Sequence, residues 1–213
     1  MPNDISREHL TAAARRIATA WPRIDVHAIC ADFDEDFALP PVRSGGRRLA
    51  FYPGSTIGNF TPGAAREFLA SWARRLGPSA QLVIGVDMRK SPAILNAAYD
   101  DAQGVTARFS LNVLARANRE LDADFDLAGF RHEARYDEDA GRVAIHLVAT
   151  KDQTVTVGDA RYAFKLGDRI HIEDSWKYTV SDFQSLAAEA GYRSLDHWVD
   201  EDRLFSVHMM EVI

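Results

Sequence analysis

Residues 48–87 read RLAFYPGSTIGNFTPGAAREFLASWARRLGPSAQLVIGVD. Arg48 to Tyr52 is a short, mostly apolar strand candidate that runs into Pro53 to Phe60, a loop with two glycines. Thr61 ahead of Pro62 supplies an N-cap with proline at the first helical position, which predicts a helix to about Leu76; Gly77-Pro78 stops it. Leu82 to Asp87 is a further buried strand with an acid at its carboxyl end. Strand, loop, helix and strand in this order is the signature of an α/β parallel sheet.

Upstream, Met1 to Ile5 reads as the tail of a strand. A helix follows, with Leu10, Ala13, Ala14, Ile17 and Trp21 on one buried face until Pro22 breaks it. Asp25 to Ala31 reads as a buried strand entering the acidic run Asp32 to Asp36, and a loop with Gly, Pro and Ser joins it to residue 48. Downstream the rhythm changes. Helices are predicted from Pro92 to about Tyr99 and from about Arg108 to Leu121. Alternating strands follow around Val143, Ile145 and Leu147, around Val155 and Val157, around Tyr162 and Phe164, and around Ile170 and Ile172, with turns at 137–141, 158–159 and 167–168. This is an antiparallel unit. Ser181 with Gln184 suggests a capping box for a helix through Glu189 with Gly191 at its exit, and Leu195 to Val199 with Leu204 to Val212 form a closing antiparallel pair.

The chain has 213 residues, 46% hydrophobic and 26% charged, enough for one or two domains with a sizeable core. No apolar run approaches a membrane span, and the first thirty residues carry charge in place of a signal sequence. Net charge is −6, from 25 basic and 31 acidic residues with no basic cluster, which disfavours nucleic acid as a partner. The single cysteine, Cys30, reads as a buried thiol in a reducing cytoplasm. The seven histidines are scattered, and only His146 and His171 fall on the same predicted antiparallel unit, so no metal site is expected.

Acids stand at the carboxyl ends of predicted parallel strands at Asp4, Asp32 and Asp87, where ligands of open α/β sheets bind and where an acid accepts from a ribose. Loops after strands are polar in any case, so spacing leaves both meanings open. There is no G-x-G-x-x-G before the first helix and no P-loop, which argues against nucleotide-phosphate binding. The 53–60 loop offers Ser55, Thr56 and Asn59 as hydrogen-bond partners, and Asn59 suits binding better than chemistry. In His171 to Tyr178, if Ile170 and Ile172 point to the core, then His171, Glu173 and Ser175 share the other face, as cavity lining or as a solvated face with ion pairs.

Four stretches taken together resemble the histidine-specific Nα-methyltransferases of ergothioneine biosynthesis: Gly54 to Phe60, Ala97 to Thr106, Phe109 to Leu121, and Glu173 to Tyr178. The resemblance runs over essentially the whole chain. It implies a class I, Rossmann-like methyltransferase sheet with an inserted α+β substrate-binding unit, S-adenosylmethionine as cofactor, and conversion of L-histidine to trimethylhistidine (hercynine). It implies that Asn59 and Tyr99 hold the substrate carboxylate, that Glu173 and Ser175 recognise the histidine side chain, and that Ile145 is the apolar residue beside the imidazole. It implies that Asp4 binds the cofactor ribose, with Asp32 and Phe33 at the adenine. The divisions expected are 1–90 for the partial cofactor domain, 91–180 for the substrate unit and 181–213 for the return to the sheet.

Methyl transfer from a sulfonium needs positioning more than acid–base machinery. No side chain is assigned to accept the proton of the α-amine, and water is open as acceptor. Relative to the family the chain starts at the second strand, without the strand that carries the cofactor's glycine loop. In the order 3-2-1-4-5-7-6 the first strand lies between strands 2 and 4, so two inner edges are expected to be left open. The chain alone is therefore expected to bind adenosylmethionine poorly or not at all, as either a truncated product or one half needing a complementing N-terminal segment. Two rival readings are a methyltransferase for another aromatic amino acid such as tryptophan, and a non-catalytic amino-acid-binding remnant.

Overall fold

The computed structural model describes residues 1–35, 37–41 and 46–213; Asp36 and the loop residues 42–45 lie outside the described residues. By internal contacts the chain forms two compact units, Met1–Gly46 and Arg47–Ile213.

In the first unit, Ser6 caps α1 (Arg7–Ala20), its hydroxyl accepting from the His9 amide at 3.4 Å. Only Leu10 of the helix is buried, and Trp21, just beyond it, is 64% exposed, so the expected buried face is largely open. The two strands expected around this helix do not form as ladders. Asn3 and Ile29 make a single parallel bridge, with the Ile29 amide donating to Pro2 O at 2.9 Å and the Asp4 amide to Ile29 O at 3.3 Å. The Asn3 side-chain amide donates to the carbonyls of Ile29 and Ala31 at 2.9 and 3.0 Å, taking acceptors a longer ladder would use. Cys30 is exposed, contrary to expectation, since among the described residues its segment makes a single bridge and not a sheet; its thiol lies 3.7 Å from Ile5 O.

The second unit is built as the 48–87 stretch predicts. β1 (Leu49–Tyr52) pairs in parallel with β2 (Gln81–Asp87) through α2 (Pro62–Leu76), whose cap is the Thr61 hydroxyl accepting from Ala64 N at 3.3 Å. Beyond β2 come α3 (Pro92–Tyr99) and α4 (Val105–Glu120), then β3 (Phe130–Asp137), β4 (Arg142–Ala149), β5 (Gln153–Val157), β6 (Ala160–Phe164) and β7 (Arg169–Trp176). α5 (Val180–Glu189), β8 (Tyr192–Val199) and β9 (Phe205–Val212) complete the unit. The main sheet runs β1-β2-β9-β8, with β9 antiparallel to both neighbours, which is the 4-5-7-6 part of the expected order. Leu82, Ile84 and Val86 of β2 are buried, as are Leu69 and Ala73 of α2 and Phe183 and Ala187 of α5. β1 ends the sheet, with Leu49 and Phe51 61% and 70% exposed.

The inserted part is an antiparallel sheet β3-β4-β7 with α3 and α4 packed on β3 and β4, plus the hairpin β5-β6. β3 is absent from the sequence expectation, although its burial alternates regularly and places His132 as a third histidine on this unit. α5 is capped by Thr179 and Asp182 rather than by Ser181 and Gln184: the Thr179 hydroxyl accepts from Asp182 N at 3.1 Å while the Asp182 carboxylate accepts from Thr179 N at 3.3 Å. Ser181 sits one residue inside that box and bonds the Thr179 hydroxyl at 3.0 Å. Among the described residues, no helix is long and apolar enough to cross a membrane.

Candidate active site

The inserted sheet rejoins the main sheet where β7 ends. Tyr178 N donates to Asp87 O at 3.3 Å and Arg89 N to Tyr178 O at 3.2 Å, so the exit of β7 runs beside the carboxyl end of β2, where ligands of such sheets bind. This places Lys177 against Asp87. The Lys177 side chain is 0% exposed, and its ammonium has three partners for its three N–H bonds: Asp87 Oδ2 at 2.7 Å, Ser175 Oγ at 2.7 Å and the Tyr99 hydroxyl at 2.6 Å. Tyr99 and Ser175 bond each other at 2.9 Å, and the ammonium lies 4.6 Å from the Tyr99 ring centroid. The other oxygen of Asp87 pairs with Lys90, and the Asp87 amide donates to Ser55 Oγ at 2.9 Å, tying the 53–60 loop to the same strand end.

Tyr99, the last residue of α3, is fixed from behind. Buried His132 uses Nε2 on the Tyr99 carbonyl at 2.8 Å and Nδ1 on the Ser110 hydroxyl at 3.1 Å. Because a carbonyl only accepts, the Nε2–H tautomer is the one that fits. The Tyr99 ring packs on a cluster of Leu95, Ala134, Tyr136, Val143 and Ile145.

Glu173 and Ser175 lie on one face of β7, opposite Ile145 and Val143 of β4. The expectation that His171 joins them is corrected by a bulge. The register shifts between Ile145 and His146, leaving Ile172 unpaired and setting His171 against His146. His171 therefore faces the other side, 3.1 Å from Asp174 Oδ1 with its ring 5.3 Å from that of His146, and Arg142 pairs with the same Asp174. His146 is held below the usual imidazole range, chiefly by burial and secondarily by His171. Among the described residues, no three His, Cys, Asp or Glu side chains come together to hold a metal.

Half-buried Glu173 has no hydrogen bond or ion pair among the described residues, and neither has the exposed amide of Asn59. Asn59 ends a 3₁₀ turn, Thr56–Asn59, that packs on β7: a Cβ on Gly58 would stand 2.7 Å from Trp176 O. Tyr99, Ser175, Glu173 and Ile145 are thus brought together, with Asn59 on the turn against β7. The resemblance had assigned no role to Lys177, Asp87 or Ser55; the acid at the end of β2 was the sequence signal that could have found them.

In the Met1–Gly46 unit, the bridge sets Asp4 and Asp32 at the leaving ends of two adjacent segments. Asp4 Oδ1 accepts from Ser6 N at 2.7 Å and Asp32 Oδ1 from Asp34 N at 2.9 Å, leaving each carboxylate a second oxygen. Two such acceptors suit the hydroxyls and exocyclic amine of a nucleoside such as that of S-adenosylmethionine, and Phe33 follows Asp32 in the chain.

The sequence profile of the histidine-specific, SAM-dependent methyltransferases matches residues 1–212. The histidine N-alpha-methyltransferase of Mycolicibacterium smegmatis is 41% identical over 203 residues, covering 94% of this chain and 62% of that protein; the Mycobacterium tuberculosis protein of the same name is 39% identical, covering 94% and 63%. Ergothioneine biosynthesis protein 1 of Neurospora crassa is 30% identical over 92% of this chain and 22% of its own length. The chain thus spans under two thirds of the length of these relatives. Among solved structures, a S-adenosylmethionine-dependent methyltransferase from Clostridium acetobutylicum superposes with a TM-score of 0.50 at 10% identity, covering 99% of this chain and 73% of that one; at that identity the likeness shows the fold. The chain belongs to the histidine-specific, SAM-dependent methyltransferase family and has the α/β fold of class I methyltransferases.

Proposed function

We propose that this chain carries the histidine-recognition site of an enzyme that methylates the α-amine of L-histidine to trimethylhistidine, in the ergothioneine pathway. The observation that carries the reading is Glu173: a carboxylate without a partner among the described residues, two positions from Ser175 on one strand face and opposite buried Ile145. Side chains at i and i+2 on a strand stand about 7 Å apart, room for an imidazole to bond both. Glu173 accepts a ring N–H, Ser175 serves the other ring nitrogen, and Ile145 packs under the ring. Asn59 and Tyr99 hold the carboxylate.

In this reading residues 1–90 form the cofactor side, with Asp4 on the ribose of S-adenosylmethionine and Asp32 and Phe33 at the adenine. Residues 91–180 form the substrate unit and 181–213 return to the sheet. When bound, the cofactor supplies an activated methyl on its sulfonium; the side chains of this chain orient the amine and exclude competing poses.

Calorimetry with L-histidine and L-tryptophan tests the reading. Glu173→Ala should weaken histidine binding by about 10- to 100-fold, as expected on losing a charge-assisted hydrogen bond, and leave any tryptophan binding unchanged. Tighter binding of tryptophan than histidine by the unaltered chain would reassign the substrate. Methylated histidine in the mass spectrum would exclude a purely amino-acid-binding role.

A further inference from the structure

The Lys177 ammonium does more to the site than fill a hole in the core. The group Lys177, Lys90 and Asp87 carries two positive charges and one negative, so one net positive charge stands behind Tyr99 and Ser175. Glu173, two residues along the same strand face, carries a negative charge with no partner among the described residues. The site is therefore polarised, positive at Tyr99 and Ser175 and negative at Glu173.

Counting protons sharpens this. Both hydroxyl oxygens accept from Lys177, and one hydrogen is shared in the Tyr99–Ser175 bond. A phenol is the more acidic partner and donates to the alcohol. Ser175 Oγ then accepts twice, which exhausts its lone pairs, and its own hydrogen is left to point outward as a donor. With Ser175 unable to accept, and a net positive charge behind it, the ring nitrogen facing it must be bare.

We propose that Lys177 is a positioning residue that turns Ser175 into a pure donor, so that the ring held between Ser175 and Glu173 binds only as the neutral imidazole, with its N–H on Glu173. The inference rests on the proposed histidine site and specifies the protonation state that site accepts. The charged and titratable groups facing the network are Asp87 and Lys90 at the end of β2, Tyr99 from α3, Glu173 from β7, and His132 of β3 through the Tyr99 carbonyl.

The test uses this chain with L-histidine labelled with 15N in the ring. The readout is the ligand's own nitrogens, so protonation of His132 does not enter it. At pH 6 the bound ring is expected to show one protonated and one bare nitrogen, and the affinity to fall about tenfold between pH 7.5 and 5.5 as the free ring takes up a proton. In Asp87→Asn/Lys177→Met, which takes away the Lys177 donor while Lys90 keeps the local net charge at one positive and the amide at position 87 can still accept from it, Ser175 regains an accepting lone pair, so the dependence should shrink to under about twofold and the bound ring become cationic at pH 6. Ser175→Ala, a small deletion, gives an independent readout: the bare nitrogen should move toward the shift of an unbonded imidazole. A cationic ring in the unaltered chain, an unchanged pH dependence in the folded double variant, or an unmoved bare-nitrogen shift in Ser175→Ala each overturns the role of Lys177. Failure of the unaltered chain to bind histidine at any pH overturns the histidine site itself.

Discussion

Gly58 sits where a side chain has no room. Its place against Trp176 O holds the turn that ends in Asn59 onto β7, so Gly58→Ala must push turn and strand apart. A loss of about 1–3 kcal/mol is expected, read as a fall in the melting temperature, together with weaker histidine binding because Asn59 moves with the turn. Asn59, Glu173 and Ser175 are legible in the sequence as hydrogen-bonding groups on a loop and on one strand face, but equally as polar surface; Tyr99 takes its role from the motif it stands in, and Ile145, outside all four motifs, from the resemblance as a whole. Lys177 stands inside one of those motifs and escaped notice because a lysine beside aromatic residues ordinarily keeps its head in water. Its burial depends on Asp87, ninety positions earlier, and on hydroxyls from two other elements. No local pattern encodes such a meeting.

At the level of elements, the Ala97 to Thr106 motif turns out to contain a helix start. Gly104 takes a left-handed φ of 66°, and the Asp101 carboxylate accepts from the amides of Val105 and Thr106 at 2.9 and 2.8 Å. Those backbone hydrogen bonds hold Asp101 down at about 2. Because the folded value lies below the ordinary carboxylate range, the contribution of this cap is present above about pH 4 and is lost as the pH falls toward 2. Asp101→Ala should lower the melting temperature at pH 7 by a few degrees and speed amide exchange at Val105 and Thr106, with most of that effect gone at pH 2. Caps, prolines and glycine turns made most elements of the second unit legible, since each acts within a few residues. β3 was missed because two of its buried positions are His132 and Ala134, which weaken the apolar alternation a strand announces. The β7 bulge was invisible for a different reason: it is a property of the pairing with β4, and it alone moved His171 off the face of Glu173.

For the molecule as a whole, β9 carries a buried titratable group through the middle of the sheet. His208 is fully buried, with Nε2 on the Ser206 hydroxyl at 2.9 Å and its ring 4.9 Å from that of Phe183. Burial, with His197 on β8 adding a smaller push, lowers it from 6.5 to about 4. The unfolded chain therefore binds the extra proton first as pH drops, so stability is complete above about 6.5 and declines between 6.5 and 4. The loss reaches about 2 kcal/mol by pH 5, and His208→Gln should remove that part of the slope in urea titrations at pH 7 and 5. The strand order of the main sheet followed the pattern expected from the sequence. The amino-terminal segments did not, since a run of β-branched residues becomes a strand only when neighbours complete its ladder, and Asn3 and Ile29 meet at one bridge.

β1 is the element in which that requirement is half met. One side of it is laddered to β2, while among the described residues the other side has no strand beside it, and Leu49 and Phe51 stand in water. Backbone amides and carbonyls left in line in this way template the addition of any extended chain, another molecule of the same kind included. Self-association that grows with protein concentration is the outcome expected from that margin, read by light scattering, and Phe51→Lys at the rim should reduce it.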